Sequence, residues 1–109
     1  MTKNVLKNLK VTTAFIKEVL RISNIVELLF PRAVLKDIEL PNGTIMPAGC
    51  QYMIDLAGLT QNQVWGSNPM KFDPNRFLQN NKMHPYQNIP FSAGKRNCIG
   101  RNFAMQGLG

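Results

Sequence analysis

The chain has 109 residues, 44% of them hydrophobic and 17% charged, which excludes a disordered segment and suits folded protein. Thirteen Lys and Arg against six Asp and Glu give a net charge of +7, favouring acidic partners without choosing among nucleic acid, an anionic membrane and an acidic protein. No apolar run approaches the roughly 18 residues of a membrane span, the opening MTKNVLKNLK lacks the apolar core of a secretory signal, and Cys50 and Cys98 form neither a CxxC pair nor a disulfide framework, which suits a reducing compartment.

In chain order, a helical period predicts a helix from about Lys3 to Ile22, with Leu6, Leu9, Thr13, Ile16 and Leu20 on its apolar side. Lys3, Lys7, Lys10, Lys17, Glu18 and Arg21 fall on the other side. The stretch from Ile25 to Phe30 is apolar apart from Glu27, and Pro31 excludes helix just before it. Between Arg32 and Leu56, short apolar pieces are punctuated by Pro41-Asn42-Gly43 and Pro47-Ala48-Gly49, which predicts a small β-sheet joined by tight turns. A short helix is expected over Leu59 to Trp65. From Gly66 to Pro90 the chain carries four prolines and little periodicity, so a long loop is expected there, anchored by Phe72, Phe77 and Tyr86. A last helix begins near Ile99 and runs to Gln106. The text thus opens inside one expected helix and stops inside another, as a piece of a longer protein would.

The segment Pro90 to Phe103, PFSAGKRNCIGRNF, sets Cys98 between glycines and among cations just before that last helix. Unsatisfied backbone N–H groups at a helix start, together with Lys95, Arg96 and Arg101, favour a thiolate over a thiol. Gly94 and Gly100 permit backbone shapes or close approaches that a side chain forbids, so a flat ligand could lie against the loop. Arg96 could reach an anionic group on such a ligand. A lone cysteine is more commonly a small buried hydrophobe, and the residues alone leave that reading open.

The pattern F-x-x-G-x-R-x-C-x-G, standing here as Phe91, Gly94, Arg96, Cys98 and Gly100, resembles the haem-binding signature of the cytochrome P450 monooxygenases. Two further elements occur in the order that family has: E-x-x-R as Glu18 to Arg21, and F-x-P-x-R-F as Phe72 to Phe77. An E-x-x-R pair alone is weak, since an i,i+3 ion pair on a helix is ordinary. The resemblance implies that Glu18, Arg21 and Arg76 form a buried structural network holding the cysteine loop, although periodicity sets Glu18 and Arg21 on the solvated side of their helix. It also implies haem b, with Cys98 as the iron ligand and Arg32 as a second contact to a haem propionate. For Arg32, an exposed residue at a strand start is an equally open reading.

The fold implied is mainly α with a small β-sheet: the C-terminal part of the cytochrome P450 fold, with E-x-x-R helix, small strands, meander loop, cysteine loop and the start of the final helix. Residues 1–109 would form part of one domain, without separate domains and inactive alone. The parent protein would insert one oxygen atom of O2 into a lipophilic substrate, with electrons from an acidic redox partner, a flavoprotein reductase or a ferredoxin. Lys3, Lys7, Lys10 and Lys17, with Lys95 and Arg101, are candidates for that docking face; a merely solvated basic face is the competing reading. The wording from His84 to Gly100 is similar to the eukaryotic branch that includes fatty-acid ω-hydroxylases, which implies a membrane-associated parent, anchored by an N-terminal region not in this text. The endoplasmic reticulum is the expected compartment, the mitochondrion the alternative.

Three features depart from the family pattern: Leu59-Thr60 stands where a His-Arg type pair is frequent, Asn75 replaces a commoner acidic residue, and ISNIVELLFPR is long for the turn it occupies. A basic nucleic-acid-binding or interaction module without haem is the alternative class. Such modules interleave aromatics with a cationic stripe, whereas Phe72, Phe77, Phe91 and Phe103 suit loop anchoring, so no nucleic-acid partner is expected. A phosphate-binding loop at Ala93 to Arg96 lacks the earlier glycine and the Ser or Thr after lysine. Cys50 and His84 match no ligand spacing.

Overall fold

The computed structural model describes residues 9–79 and 82–108, so Lys3, Leu6 and Lys7 lie outside the described residues. Helix α1 is Lys10–Ile22 and ends with the Ser23 amide donating to Val19 O at 2.8 Å. The side it buries differs from the one read off its hydropathy. Ala14, Glu18 and Arg21 are buried, Thr13, Ile16 and Leu20 only half-buried, and Val11, Phe15 and Val19 exposed. Positions 14, 18 and 21 recur at i, i+4 and i+7, so burial does follow one helical stripe. Hydropathy weighs each side chain against water and cannot register that the groups facing this stripe are hydrogen-bonding partners, carbonyls for Arg21 and N–H donors for Glu18.

The strands form two separate two-stranded antiparallel sheets, where one small sheet was expected. Strand β1 (Arg32–Ala33) pairs with β4 (Gln51–Tyr52), Arg32 opposite Tyr52; β2 (Ile38–Glu39) pairs with β3 (Ile45–Met46), Ile38 opposite Met46. The turn between β2 and β3 closes through Gly43, whose φ of 81° a β-carbon would resist. Upstream, Leu29 N donates to Ile54 O at 3.0 Å and Leu56 N to Glu27 O at 2.8 Å, so the apolar stretch before Pro31 runs beside the residues leading into the next helix.

That helix, α2, spans Leu56–Gln61, three residues earlier than expected, because Asp55 caps it: Gly58 N donates to Asp55 Oδ1 at 2.8 Å. A β-carbon on Gly58 would come within 2.6 Å of the same carboxylate, so glycine there makes room for the cap. Asn62 in extended geometry then separates α2 from a 3₁₀ turn at Gln63–Trp65. The expected long loop contains a short helix, α3 (Asn75–Gln79), which packs against α1. Helix α4 is Arg101–Leu108, starting after a turn at residues 99–100.

Among the described residues, the buried apolar side chains are Ala14, Val34, Leu56 and Trp65. The radius of gyration is 16.1 Å, against about 13 Å for a compact domain of this length. Ile25, Phe30, Leu35 and Ile99 are each about nine-tenths or more exposed. So much open apolar surface around so small a core is the condition of a segment whose packing partners lie elsewhere.

Candidate functional site

Two arrangements meet at the C-terminal half of α1. The first is a charged cluster. Arg21 Nε and Nη2 donate to Glu18 Oε2 and Oε1 at 2.7 and 2.8 Å, a two-pronged pair with Glu18 0% and Arg21 2% exposed. Arg21 also donates to Thr60 O at 3.2 Å and to Pro69 O at 2.7 Å, and its guanidinium lies 4.7 Å from the centre of the Trp65 ring. Asp73 N donates to Glu18 Oε1 at 2.9 Å, and Arg76 Nε lies 3.5 Å from that same oxygen.

The rest of Arg76 ties the loop to itself: it donates to Trp65 O, to Asn68 O at 2.9 Å and to Lys71 O at 3.2 Å. The residues from Trp65 to Arg76 are thereby wrapped over the charged side of α1, with Phe72 edge-on to Phe15 and Phe77 against Trp65. Burial by itself would raise the Glu18 carboxyl above its ordinary pKa. The hydrogen bonds from Arg21, the Asp73 amide and the charges of Arg21 and Arg76 outweigh that and hold it below.

The second arrangement is the cysteine loop. Ser92 N donates to Ile89 O at 2.9 Å to make a turn, and Cys98 N donates to Phe91 O at 2.9 Å to close the loop behind it. Gly94 opens a 3₁₀ turn, Gly94–Arg96, with φ of 80°, a conformation that costs a side chain roughly 1–2 kcal/mol. Gly100 lies behind the sulfur: a β-carbon there would stand 3.8 Å from Cys98 Sγ, an ordinary contact. Helix α4 begins three residues after Cys98, later than the Ile99 start expected from sequence.

Cys98 is exposed, and it lines a cleft of about 980 Å³. Arg32 and Arg96 line the same cleft, whose remaining wall includes Leu20, Ile25, Leu29, Phe30, Leu35 and Ile99. One sulfur, two guanidinium groups and an apolar wall therefore face one space. Among the described residues no three His, Cys, Asp or Glu side chains cluster. Arg32 Nη2 also donates to Ser92 Oγ at 3.2 Å, linking β1 to the cysteine loop.

The family model that matches the chain is that of cytochrome P450, over residues 1–109. The chain belongs to the cytochrome P450 family. It is 44% identical over 94 residues to the probable cytochrome P450 4p2 of Drosophila melanogaster, an alignment covering 84% of this chain and 18% of that protein. It is 41% identical over 107 residues to cytochrome P450 4X1 of Homo sapiens, covering 96% and 21% respectively. A taurochenodeoxycholic 6 alpha-hydroxylase of Sus scrofa is 43% identical over 101 residues, covering 86% and 18%. The chain spans about a fifth of the length of these curated relatives. Several of the similar proteins are series-4 cytochromes P450, from fly, human and mouse.

Membership of the P450 family implies haem with cysteine ligation. The donor set suits that group: a sulfur open to the cleft, two permanent cations for carboxylates, and apolar walls for a flat macrocycle.

Sequence reasoning missed Thr60. It is 6% exposed, its hydroxyl reaches Arg21 O at 2.9 Å and Leu56 O at 3.1 Å, and it accepts from Asn24 Nδ2 at 2.9 Å. Together these join the end of α1 to α2 at the position where the family pattern led one to expect a basic pair. The signal was a threonine placed four residues after Leu56, a spacing at which its hydroxyl can bond back within a helix. Ser92 was also passed over, because nothing in its neighbours marks a left-handed residue.

Proposed function

We propose that the chain is the haem-holding, C-terminal part of a cytochrome P450 monooxygenase, residues 1–109 forming part of a single larger domain. The observation that carries this reading is the opening of Cys98 into a cleft that Arg32 and Arg96 also line. In it, Cys98 supplies the thiolate, Arg96 and Arg32 receive the haem carboxylates, and Phe91, Gly94 and Gly100 give the loop its shape. The apolar walls would pack against the flat faces of the macrocycle. When bound, haem ligated by thiolate supplies the activation of O2, with one oxygen atom going into a lipophilic substrate.

Glu18, Arg21 and Arg76 have a structural part in this reading. They hold the Trp65 to Arg76 segment over α1, and α1 in turn supplies Leu20 to the cleft. The name of the pig relative, a hydroxylase, supports oxygen insertion and a lipophilic substrate for the whole protein. No described helix is long and apolar enough to cross a membrane; membrane association, at the endoplasmic reticulum, would rest on other parts of the protein.

Electrons would come from an acidic reductase or ferredoxin. Support for a basic docking face comes from Lys17 and Arg101, which border the same cavity of about 460 Å³ on α1 and α4.

The test is the carbon-monoxide difference spectrum of the reduced full-length protein. The red-shifted band of a thiolate-ligated haem is expected, and Cys98→Ser is expected to abolish it. A Cys98→Ser protein that keeps the band would overturn the assignment of the ligand.

A further inference from the structure

Among the described residues, Ser92 is the sole non-glycine residue with positive φ, at 63°. Glycine adopts such a backbone without penalty, and the same loop uses one two residues later at Gly94. A serine at this place therefore needs a reason beyond the turn, and its hydroxyl supplies one. Ser92 Oγ accepts from Arg32 Nη2 at 3.2 Å, across 60 residues of sequence, and both side chains line the 980 Å³ cleft beside Cys98 and Arg96.

Arg32 is half-buried at the start of β1, and among the described residues this is the sole hydrogen bond its side chain makes. A guanidinium carries five N–H donors, so most of them stay available to a ligand. A long arginine held at one point loses most of its rotamer freedom before any ligand arrives, and the ligand's carboxylate then binds with less ordering cost. The serine hydroxyl acts as acceptor in this contact, so its own proton remains to be donated as well.

We propose that Ser92 is a positioning residue: its hydroxyl presets Arg32 as the carboxylate clamp of the cleft, and the left-handed turn exists to bring that hydroxyl to β1. This rests on the haem reading above, and the experiment keeps the two apart. In the full-length protein, haem loss to excess apomyoglobin is timed for wild type, Ser92→Gly, Arg32→Ala, the double variant and Ser92→Asn, with the reduced carbon-monoxide band recorded for each.

Ser92→Gly keeps the backbone at ease and removes only the hydroxyl. It is expected to leave the band in place while speeding haem loss about tenfold, as loss of one hydrogen bond to a charged group predicts. Arg32→Ala should do at least as much, and the double variant no more than Arg32→Ala alone, because the two residues act through one contact. Asn tolerates positive φ and carries an acceptor oxygen, so Ser92→Asn should lie nearer wild type than Ser92→Gly. Haem retention in Ser92→Gly equal to wild type, or effects of the two single changes that multiply in the double variant, would overturn the proposal. A wild-type protein with no thiolate band would instead bring down the haem reading itself, and this inference with it.

Discussion

The backbone amide of Asp73 donates to Glu18 Oε1 at 2.9 Å, joining residues 55 apart in sequence through a carboxylate that is wholly buried. That oxygen also faces Arg76 Nε and receives Arg21 Nη2, so one atom gathers a helix and the loop that crosses it. Removing the carboxylate leaves two guanidinium groups and an amide short of a partner. Glu18→Gln is expected to cost about 3–5 kcal/mol, the usual effect of breaking a buried charged pair from one side. Denaturant unfolding of the full-length protein measures it; a loss below about 1 kcal/mol would remove the network from the list of what holds the fold.

The same carboxylate sets a pH dependence. Its pKa is lower folded than unfolded, so the unfolded chain binds the proton first as pH falls. The stabilisation is fully present above the unfolded value, about 4.3, and is lost as pH drops through the lower folded value. Unfolding free energy followed from about pH 6 down to about pH 3 should fall in wild type, and fall less steeply in Glu18→Gln. Equal slopes in the two proteins would contradict the shift.

Arg76 spans the carbonyls of Trp65, Asn68 and Lys71 while facing Glu18. Arg76→Ala releases all of these at once and is expected to give full-length protein with little bound haem. Lysine offers one charged point in place of a planar fork, so Arg76→Lys should recover only part of it. Haem content per protein, read by absorbance, decides between these outcomes.

Thr60→Val keeps shape and removes the hydroxyl that Asn24 Nδ2 and Arg21 O share. The expected cost is about 1–3 kcal/mol, the range for a buried polar group left unpaired. Thermal unfolding of wild type and variant measures the difference, and an unchanged midpoint would mean that water or a neighbour replaces the bond.

If Lys17 and Arg101 belong to a docking face for an acidic electron donor, reduction of the full-length protein should slow as ionic strength rises. Lys17→Glu should flatten that dependence. A reduction rate indifferent to salt would leave these residues as a solvated basic surface.

Several of these elements were legible in the residues themselves. The spacing of Phe91, Gly94, Arg96, Cys98 and Gly100 is contiguous in sequence, and the loop they form closes on itself through the Cys98 to Phe91 hydrogen bond, so local text describes a local object. The tight turn at Gly43 was readable for the same reason. The split of the expected 59–65 helix was within reach too, since Asp55 and Asn62 are capping residues whose side chains each bond an amide two or three positions on.

What the amino-acid order determined alone is therefore short-ranged: the cysteine loop, the turns, and the existence of a helix carrying Glu18 and Arg21. Which side of that helix is buried was decided only in three dimensions. A wheel assigns Glu18 and Arg21 to water because their partners, Thr60 O, Pro69 O, Asp73 N and Arg76, lie 39 to 58 residues away and enter no local window. Burying those charges is favourable only once distant backbone has come to meet them, and the pairing of Arg32 with the Ser92 hydroxyl across 60 residues is hidden by the same separation in sequence.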